Sequence, residues 1–393
     1  MQLSIHPRKE SNVTVITNIE DLRVLHERRA PRMFYDYVDA GSWTESTYRA
    51  NESDFQQIKF RQRVAINMEH RRIASTMLGQ PVTMPVALSP VGMTGMQYAD
   101  GEILAARAAN RFGVPFCLST MSICSIEEIA KHTQTPFWFQ LYVMRDKIFV
   151  KALIERAKMA NCSALVVTLD LQILGQRHKD LKNGLSAPPK PTLKNLLNLA
   201  MKPAWCMGML GTKNRDFGNI VGHVKGVENM ASLSAWTAGQ FDPTLSWEEV
   251  EWIKNQWGGK LILKGILDAE DAKLARDVGA DAIIVSNHGG RQLDGAPSSI
   301  KALPAIVQAV GKDLEVWLDS GIRSGQDVLK ALALGAKGTM IGRSYVYGLG
   351  AMGEPGVTKA LEIIANELDL TLAFCGMTDV RQVNSNILYP GSF

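Results

Sequence analysis

The stretch IIVSNHGGRQLDG (residues 283–295) sets His288 and Arg291 three residues apart, behind an apolar run that stops at Ser286. An imidazole exchanges protons near neutral pH, and a guanidinium presents a planar fork that fits a carboxylate or phosphate. A base beside an anion clamp suits proton removal from a carboxylate-bearing substrate. A single histidine after a strand is usually an ordinary loop residue, so the reading needs partners. Polar or glycine residues also close the other apolar runs: Ser89-Pro90-Val91-Gly92, Ser119-Thr120, Gln140 and Tyr142, and Thr168 and Asp170. Lys264, Asp319-Ser320-Gly321-Ile322-Arg323 and Gly342-Arg343 complete the series. Two glycines after His288 suggest that something large approaches the main chain there.

The elements that must position these groups are eight short apolar runs, at 82–92, 115–120, 136–143, 164–170, 260–266, 282–287, 315–321 and 338–344. Helical patterns separate them. DKIFVKALIERAKMANC places Ile148, Ala152, Ile154, Ala157 and Met159 near one face; DAEDAKLARDVGA opens with acids; RSGQDVLKALALGAKG stops near Gly335. Strands apolar on both faces, alternating with helices, predict a parallel sheet covered by helices. Eight such units predict an α/β fold of the (β/α)8 TIM-barrel type, with a doubly wound open sheet as the alternative. The expected division is an N-terminal helical cap at 1–81, the barrel at 82–380, a long insertion at 186–240 after the fourth strand, and a tail at 381–393.

A barrel gathers its chemistry at the C-terminal ends of its strands, where all of these polar residues fall. Gly321 and Arg323 beside Gly342 and Arg343 offer backbone N–H groups and two guanidinium groups, which suits a phosphate after strands seven and eight. Gly348, Gly350 and Gly353 spell a formal dinucleotide fingerprint, but outside a first βαβ unit; they read as a loop.

Composition excludes several classes. The chain has 393 residues, a net charge of +4 and 46% hydrophobic residues, which fits a globular protein and not a nucleic-acid binder. Five cysteines form no CxxC pair and no metal-ligand spacing, so a reducing compartment and no metal are expected. No segment approaches the ~18 apolar residues of a membrane span, and the N-terminus has no signal-peptide pattern, so the expected location is cytoplasmic.

With SNHGGRQ (286–292) joined to LDSGIR (318–323), FYDY (34–37), WFQLYV (138–143), LVVTLD (165–170), LILKGI (261–266) and KALALGA (330–336), the chain resembles the FMN-dependent α-hydroxy-acid dehydrogenases and oxidases from about residue 20 to 380. The resemblance implies FMN as cofactor and the oxidation of an L-2-hydroxy acid to a 2-oxo acid. It implies His288 as general base oriented by Asp170, Arg291 and Tyr37 on the substrate carboxylate, and Tyr142 and Arg177 at the hydroxyl. Lys264 would sit against the flavin pyrimidine. Pro90, Val91, Gly92, Ser119, Gln140, Thr168 and Ser286 would contact the ring and ribityl chain. Asp319 would hold ribityl hydroxyls, and Gly321, Arg323, Gly342 and Arg343 the phosphate.

Within the family the similarity is closest to the bacterial respiratory L-lactate dehydrogenases, through ALSPVGMTGM (87–96), LSTMSICSIEE (118–128) and KGILDAEDA (264–272). This implies conversion of L-lactate to pyruvate with a quinone or cytochrome as acceptor, and a homotetramer. L-mandelate or glycolate are the alternative substrates, oxygen the alternative acceptor, and a non-catalytic flavin-binding module the alternative class. Met121 and Gly92 at the cavity wall suit a small 2-hydroxy acid. In the insertion, Leu193, Leu196, Leu197 and Ala200 share a helical face, and residues 186–226 carry six Lys or Arg against one acid, Asp216. That pattern suits adsorption to an anionic membrane, as a peripheral protein on the cytoplasmic face of the inner membrane. A disordered or self-packed loop over the site mouth is the alternative reading.

Overall fold

The computed structural model describes residues 15–185, 192–224, 227 and 240–393. The chain opens with α1 (Ile19–Arg29), α2 (Arg32–Val38) and α3 (Ser46–Gln57). Asn18 and Asp21 form a capping box that starts α1. A small antiparallel hairpin follows, β1 (Ser75–Met77) and β2 (Gln80–Val82).

Eight parallel strands then make the barrel: β3 (Val86–Leu88), β4 (Cys117–Ser119), β5 (Trp138–Tyr142), β6 (Ala164–Thr168), β7 (Lys260–Ile266), β8 (Ala282–Val285), β9 (Glu315–Leu318) and β10 (Gly338–Ile341). Their order is β3-β10-β9-β8-β7-β6-β5-β4, and a parallel bridge between Leu88 and Phe116 joins the two ends. Each of the eight expected runs contains one strand, and the fold is a (β/α)8 barrel.

Side chains alternate along a strand, and the barrel uses both sets. One set points inward near the base, where Ala87, Cys117, Trp138, Ala164, Val166, Ile262, Ala282, Ile284, Trp317 and Met340 form a separate buried cluster. Trp138 and Trp317 stack there, 5.1 Å between centroids and 9° between planes. The other set, including Leu118, Phe139, Leu165, Val167, Leu263, Ile283 and Leu318, packs outward under the helices. Because both faces are buried, the strands read as continuous apolar runs. The inward row continues past the base in the same register, from Trp138 to Gln140 and Tyr142, from Val166 to Thr168, from Ile262 to Lys264 and from Ile284 to Ser286. Parity alone therefore aims these polar groups into one space.

The outer layer holds α4 (Thr94–Gln97), α5 (Gly101–Phe112), α6 (Ile126–His132), α7 (Lys147–Met159), α8 (His178–Lys182), α9 (Leu193–Ala200), α10 (Pro203–Gly211), α11 (Trp247–Trp257), α12 (Ala269–Asp277), α13 (Ser299–Val310), α14 (Gly325–Ala333), α15 (Arg343–Met352) and α16 (Glu354–Phe374). Two expectations change here. Helix α7 buries Phe149, Val150, Leu153, Ile154 and Ala157, while Ile148 and Met159 are exposed, so the apolar face is rotated from the expected one. Gly348 and Gly350 lie in helix α15, not in a loop. A Cβ on Gly350 would fall 1.9 Å from His26 Cδ2, and one on Gly348 2.2 Å from the Gly356 carbonyl oxygen. Those glycines exist for close helix packing against α1 and α16.

Parts of the insertion at 186–191, 225–226 and 228–239 lie outside the described residues. The expected helical stretch is α9, and α10 follows it at once. Trp205 of α10 stacks on Phe34 of α2 at 5.4 Å and donates its indole N–H to the Met96 carbonyl (2.9 Å), which seats the pair beside the cavity mouth.

Candidate active site

A cavity of about 850 Å³ opens at the C-terminal ends of the strands. Its base is His288, in the loop after β8. The His288 backbone sits at φ +58°, a left-handed conformation that a histidine rarely takes, so the loop must be over-determined. It is. Asn287 and Asn51 exchange side-chain hydrogen bonds at 2.8 and 2.7 Å, and Asn287 Oδ1 accepts from the Gly290 N–H at 3.0 Å. Asp294 ties the far side of the loop to α3 by accepting from Ser46 Oγ (2.7 Å) and the Thr47 N–H (3.0 Å).

His288 Nδ1 lies 3.0 Å from Asp170 Oδ1. An ionised carboxylate can only accept, so Nδ1 carries the proton and Nε2 is left as the free lone pair. Burial, opposed by Asp170, holds the imidazole below its usual 6.5, in the neutral form a base requires. Burial would raise Asp170, but the charges of His288 and Lys264 outweigh it and keep the carboxyl below its usual range. Asp170 Oδ2 is buried without a partner among the described residues.

Arg291 lies with its guanidinium carbon 4.7 Å above the Tyr37 ring, and its Nη1 donates to the carbonyls of Tyr37 and Ala40. Burial first, and the charge of Arg177 second, bring its pKa down to about 10, so it stays cationic at neutral pH. Arg177 pairs with Asp180 at 3.4 Å and also approaches the Tyr37 ring, at 5.9 Å. The Tyr142 ring lies 6.5 Å from the His288 ring and edge-on to Phe241 at 6.1 Å. Burial raises the Tyr142 hydroxyl well above its usual value, so it remains a proton donor.

The remaining expected residues divide into two layers. Pro90, Val91, Gly92, Lys264, Asp319, Gly321, Arg323, Gly342 and Arg343 line the cavity with Tyr37, Tyr142, Arg177, His288 and Arg291. Ser119, Gln140, Thr168, Asp170 and Ser286 stand behind them. Lys264 Nζ donates to Ser286 Oγ at 2.8 Å and pairs with Asp319 at 3.2 Å. Burial would lower Lys264, but Asp319 and Asp170 overcome it and hold it cationic. Ser119 Oγ donates to Gln140 Oε1 at 3.1 Å, while Gln140 Nε2 is buried with no partner among the described residues. Arg323 pairs with Glu52 at 2.8 Å, and Gly342 is the N-cap of α15.

The two glycines after His288 are closely approached by protein. A Cβ on Gly289 would lie 2.6 Å from Arg343 Nη1, and one on Gly290 2.5 Å from the Tyr48 backbone. The Arg343 side chain comes close at Gly289, which also lines the cavity, and helix α3 comes close at Gly290. Sequence reasoning also missed Phe34, Asp180, Phe217 and Phe241, which line the cavity. Phe217 comes from within the insertion and Phe241 from just past its end, where no periodicity points inward. Asp180 had a signal: it follows Arg177 by three residues in a helical segment, the spacing of an ion pair.

The donor set fits FMN. An unsatisfied buried amide at Gln140, a buried cation at Lys264, and two arginines beside the start of a helix offer partners for a ring, a reducible centre and a phosphate. Comparison with known proteins agrees. Residues 26–390 match the family described as FMN-dependent dehydrogenase. The chain is 46% identical to an L-lactate dehydrogenase of Pseudomonas syringae pv. syringae (strain B728a) over 376 residues, 95% of this chain and 98% of that one. It is 45% identical to an L-lactate dehydrogenase of Caulobacter vibrioides (strain NA1000 / CB15N) over the same shares. A solved (S)-mandelate dehydrogenase, described as a monotopic membrane protein, superposes with a TM-score of 0.91 at 35% identity, covering 95% of this chain and 99% of that one. The chain thus belongs to the FMN-dependent dehydrogenases, with FMN as its cofactor.

Proposed function

We propose that the protein oxidises L-lactate to pyruvate and passes the electrons to a respiratory quinone or cytochrome. The observation that carries the reaction class is the 3.0 Å contact between His288 and Asp170 on a wall shared with Arg291, Tyr37 and Tyr142. The choice of acid follows the relatives at 45–46% identity.

In this reading Arg291 and the Tyr37 hydroxyl bind the substrate carboxylate, which presents the hydroxyl-bearing carbon to His288. Nε2 takes up a proton from the hydroxyl or the α-carbon, and Asp170 stabilises the resulting imidazolium. Tyr142 donates to the substrate oxygen, and Arg177 adds positive charge beside it. FMN, when bound, accepts the electron pair that leaves the α-carbon. Lys264 supplies a fixed positive charge at its ring. Gln140, Thr168, Ser119, Ser286 and the Pro90–Gly92 turn would contact the ring and ribityl chain, and Asp319 the ribityl hydroxyls. Arg323, Arg343 and the backbone at Gly321 and Gly342 would hold the phosphate.

The acceptor and location rest on the insertion. Helices α9 and α10 and their junction expose Leu193, Leu196, Leu197, Met201, Met207 and Leu210, with Lys194 and Lys213 beside them. No described helix is long and apolar enough to cross a membrane. An apolar face with basic flanks supports peripheral adsorption on an anionic surface, on the cytoplasmic face of the inner membrane, beside a lipid-soluble acceptor. A homotetramer completes the reading, testable by light scattering of the detergent-free protein.

The deciding experiment is the visible spectrum of the purified protein on addition of L-lactate with oxygen excluded. Bleaching of the flavin band supports the proposal. Bleaching by L-mandelate or glycolate alone would move the substrate and leave the mechanism. Rapid return of the band on admitting oxygen, with peroxide formed, would make the enzyme an oxidase. A flavin band that no 2-hydroxy acid bleaches would leave only a flavin-binding module.

A further inference from the structure

Helix α2 ends at Val38, and the last carbonyls of a helix have no partner within it. Here they have cations. Tyr37 O accepts from Arg291 Nη1, Val38 O from Arg343 Nε (2.8 Å), Asp39 O from Lys179 Nζ (2.7 Å), and Ala40 O from Arg343 Nη2 (2.9 Å) and Arg291 Nη1 (3.1 Å). Four successive carbonyls thus hold three side chains, at the negative end of a helix. Two of those are the arginines assigned above to the substrate carboxylate and to the cofactor phosphate.

What holds the carbonyls in place is Asp39. Its Oδ1 accepts from the Tyr347 hydroxyl (2.7 Å) and the Tyr48 hydroxyl (2.9 Å), and its Oδ2 from the Tyr35 hydroxyl (3.1 Å). Those tyrosines stand on α15, α3 and α2, so one carboxylate ties the turn to three helices. Three cations face it as well: Arg23, at 4.0 Å, and Arg343 and Lys179. Burial works against ionisation of Asp39, but the Tyr347 hydroxyl and the Arg343 charge outweigh it and keep it a carboxylate.

We propose that Asp39 is a positioning residue: by fixing the Tyr37–Ala40 carbonyls it sets Arg291 and Arg343 in one rigid arrangement, and so couples substrate binding to FMN retention. This rests on the roles given to the two arginines under Proposed function. The side chain does not line the cavity and acts through its neighbours' geometry.

The test uses the FMN-loaded protein. FMN release is followed by the rise of flavin fluorescence after dilution, and KM and kcat are measured with L-lactate. Asp39→Asn keeps the shape and removes the charge. It is expected to speed FMN release and raise KM by about tenfold each, the size of one charge-assisted hydrogen bond, with kcat changed less than about threefold. Tyr347→Phe, a milder change that keeps the carboxylate, moves both in the same direction by about two- to threefold. The coupling is read from a double mutant. If Asp39 works through Arg343, adding Asp39→Asn to Arg343→Lys speeds release by less than about twofold beyond Arg343→Lys alone. Wild-type FMN release and KM in Asp39→Asn would overturn the proposal, as would release effects that multiply in the double mutant. If Arg343→Lys alone leaves release unchanged, the phosphate assignment fails and the KM of Asp39→Asn decides. If the wild type does not turn over L-lactate, the function fails and the release data still decide.

Discussion

Replacing Asp170 by Asn is the sharpest probe of the proposed mechanism. The side chain stays nearly isosteric, so the buried site need not repack. What changes is the partner of His288 Nδ1, now 3.0 Å from Asp170 Oδ1. An amide can turn its NH2 group to that nitrogen, which moves the imidazole proton to Nε2 and removes the lone pair that faces the cavity. It also removes the negative charge that stabilises the imidazolium. A hydrogen bond to a charged group contributes about 1.5–3 kcal/mol, and unit charges 4 Å apart interact by about 4 kcal/mol at an effective dielectric near 20. These overlap, so a loss of about 3–4 kcal/mol in the transition state is expected, or roughly 10²–10³ in rate at 1.36 kcal/mol per decade. The assay is anaerobic stopped-flow bleaching of the flavin band by L-lactate. The bleaching rate should fall by that factor while KM changes less than about threefold, because Arg291 and Tyr37 are untouched. In the wild type, kcat/KM should be flat at neutral pH and fall only below 6.5, because burial depresses the base. An FMN-loaded Asn variant that bleaches within about tenfold of the wild type would refute the role given to Asp170.

Lys264→Met leaves Asp319 buried without its cation; side chains only 5% and 8% exposed make this pair costly to break. Urea denaturation at pH 7 should show a loss of about 3–5 kcal/mol, and a loss under about 1 kcal/mol would contradict the burial argument. His26 is fully buried, and burial holds its pKa at about 4, against 6.5 when unfolded. The unfolded chain therefore binds the proton first as pH falls, so this contribution is complete above pH 6.5 and about 3 kcal/mol of it is lost on descending to pH 4. His26→Gln should flatten that part of the stability profile, and an unchanged profile would refute the assignment. Leu196→Glu with Leu197→Glu removes two exposed side chains, 55% and 60% accessible, and should weaken sedimentation with anionic vesicles by more than about tenfold. Turnover with a soluble dye should be unaffected; vesicle binding at the wild-type level would remove the insertion from the membrane reading.

Much of the site was legible because it depends on a local rule. Alternation along a strand put Gln140 over Trp138, Thr168 over Val166, Lys264 over Ile262 and Ser286 over Ile284, and a polar residue at the end of an apolar run announces the open end of a barrel. The eight strands, the approach of the named residues to one cavity and the helix in the insertion all follow from period and parity. The phase of α7 did not, because Ile148 and Met159 are as apolar as the residues it buries. Only the position of the sheet says which stripe faces inward.

The glycines show the other limit. Gly289, Gly290 and Gly350 announce that something comes close, but what comes close lies far away in the chain: Arg343, Tyr48 and His26. Asp39 is the same case, an ordinary acid after a short helix until three tyrosines from three helices close around it. By itself the sequence determined the eight barrel strands, the inward rows and the kinds of groups they carry, since these come from backbone geometry repeated every second residue. Tertiary structure alone decided which nitrogen of His288 is free, what fills the space beside each glycine, and which carbonyls hold the two arginines. Those depend on atoms brought together across as many as 324 residues, as between Gly350 and His26, and no local period encodes that distance.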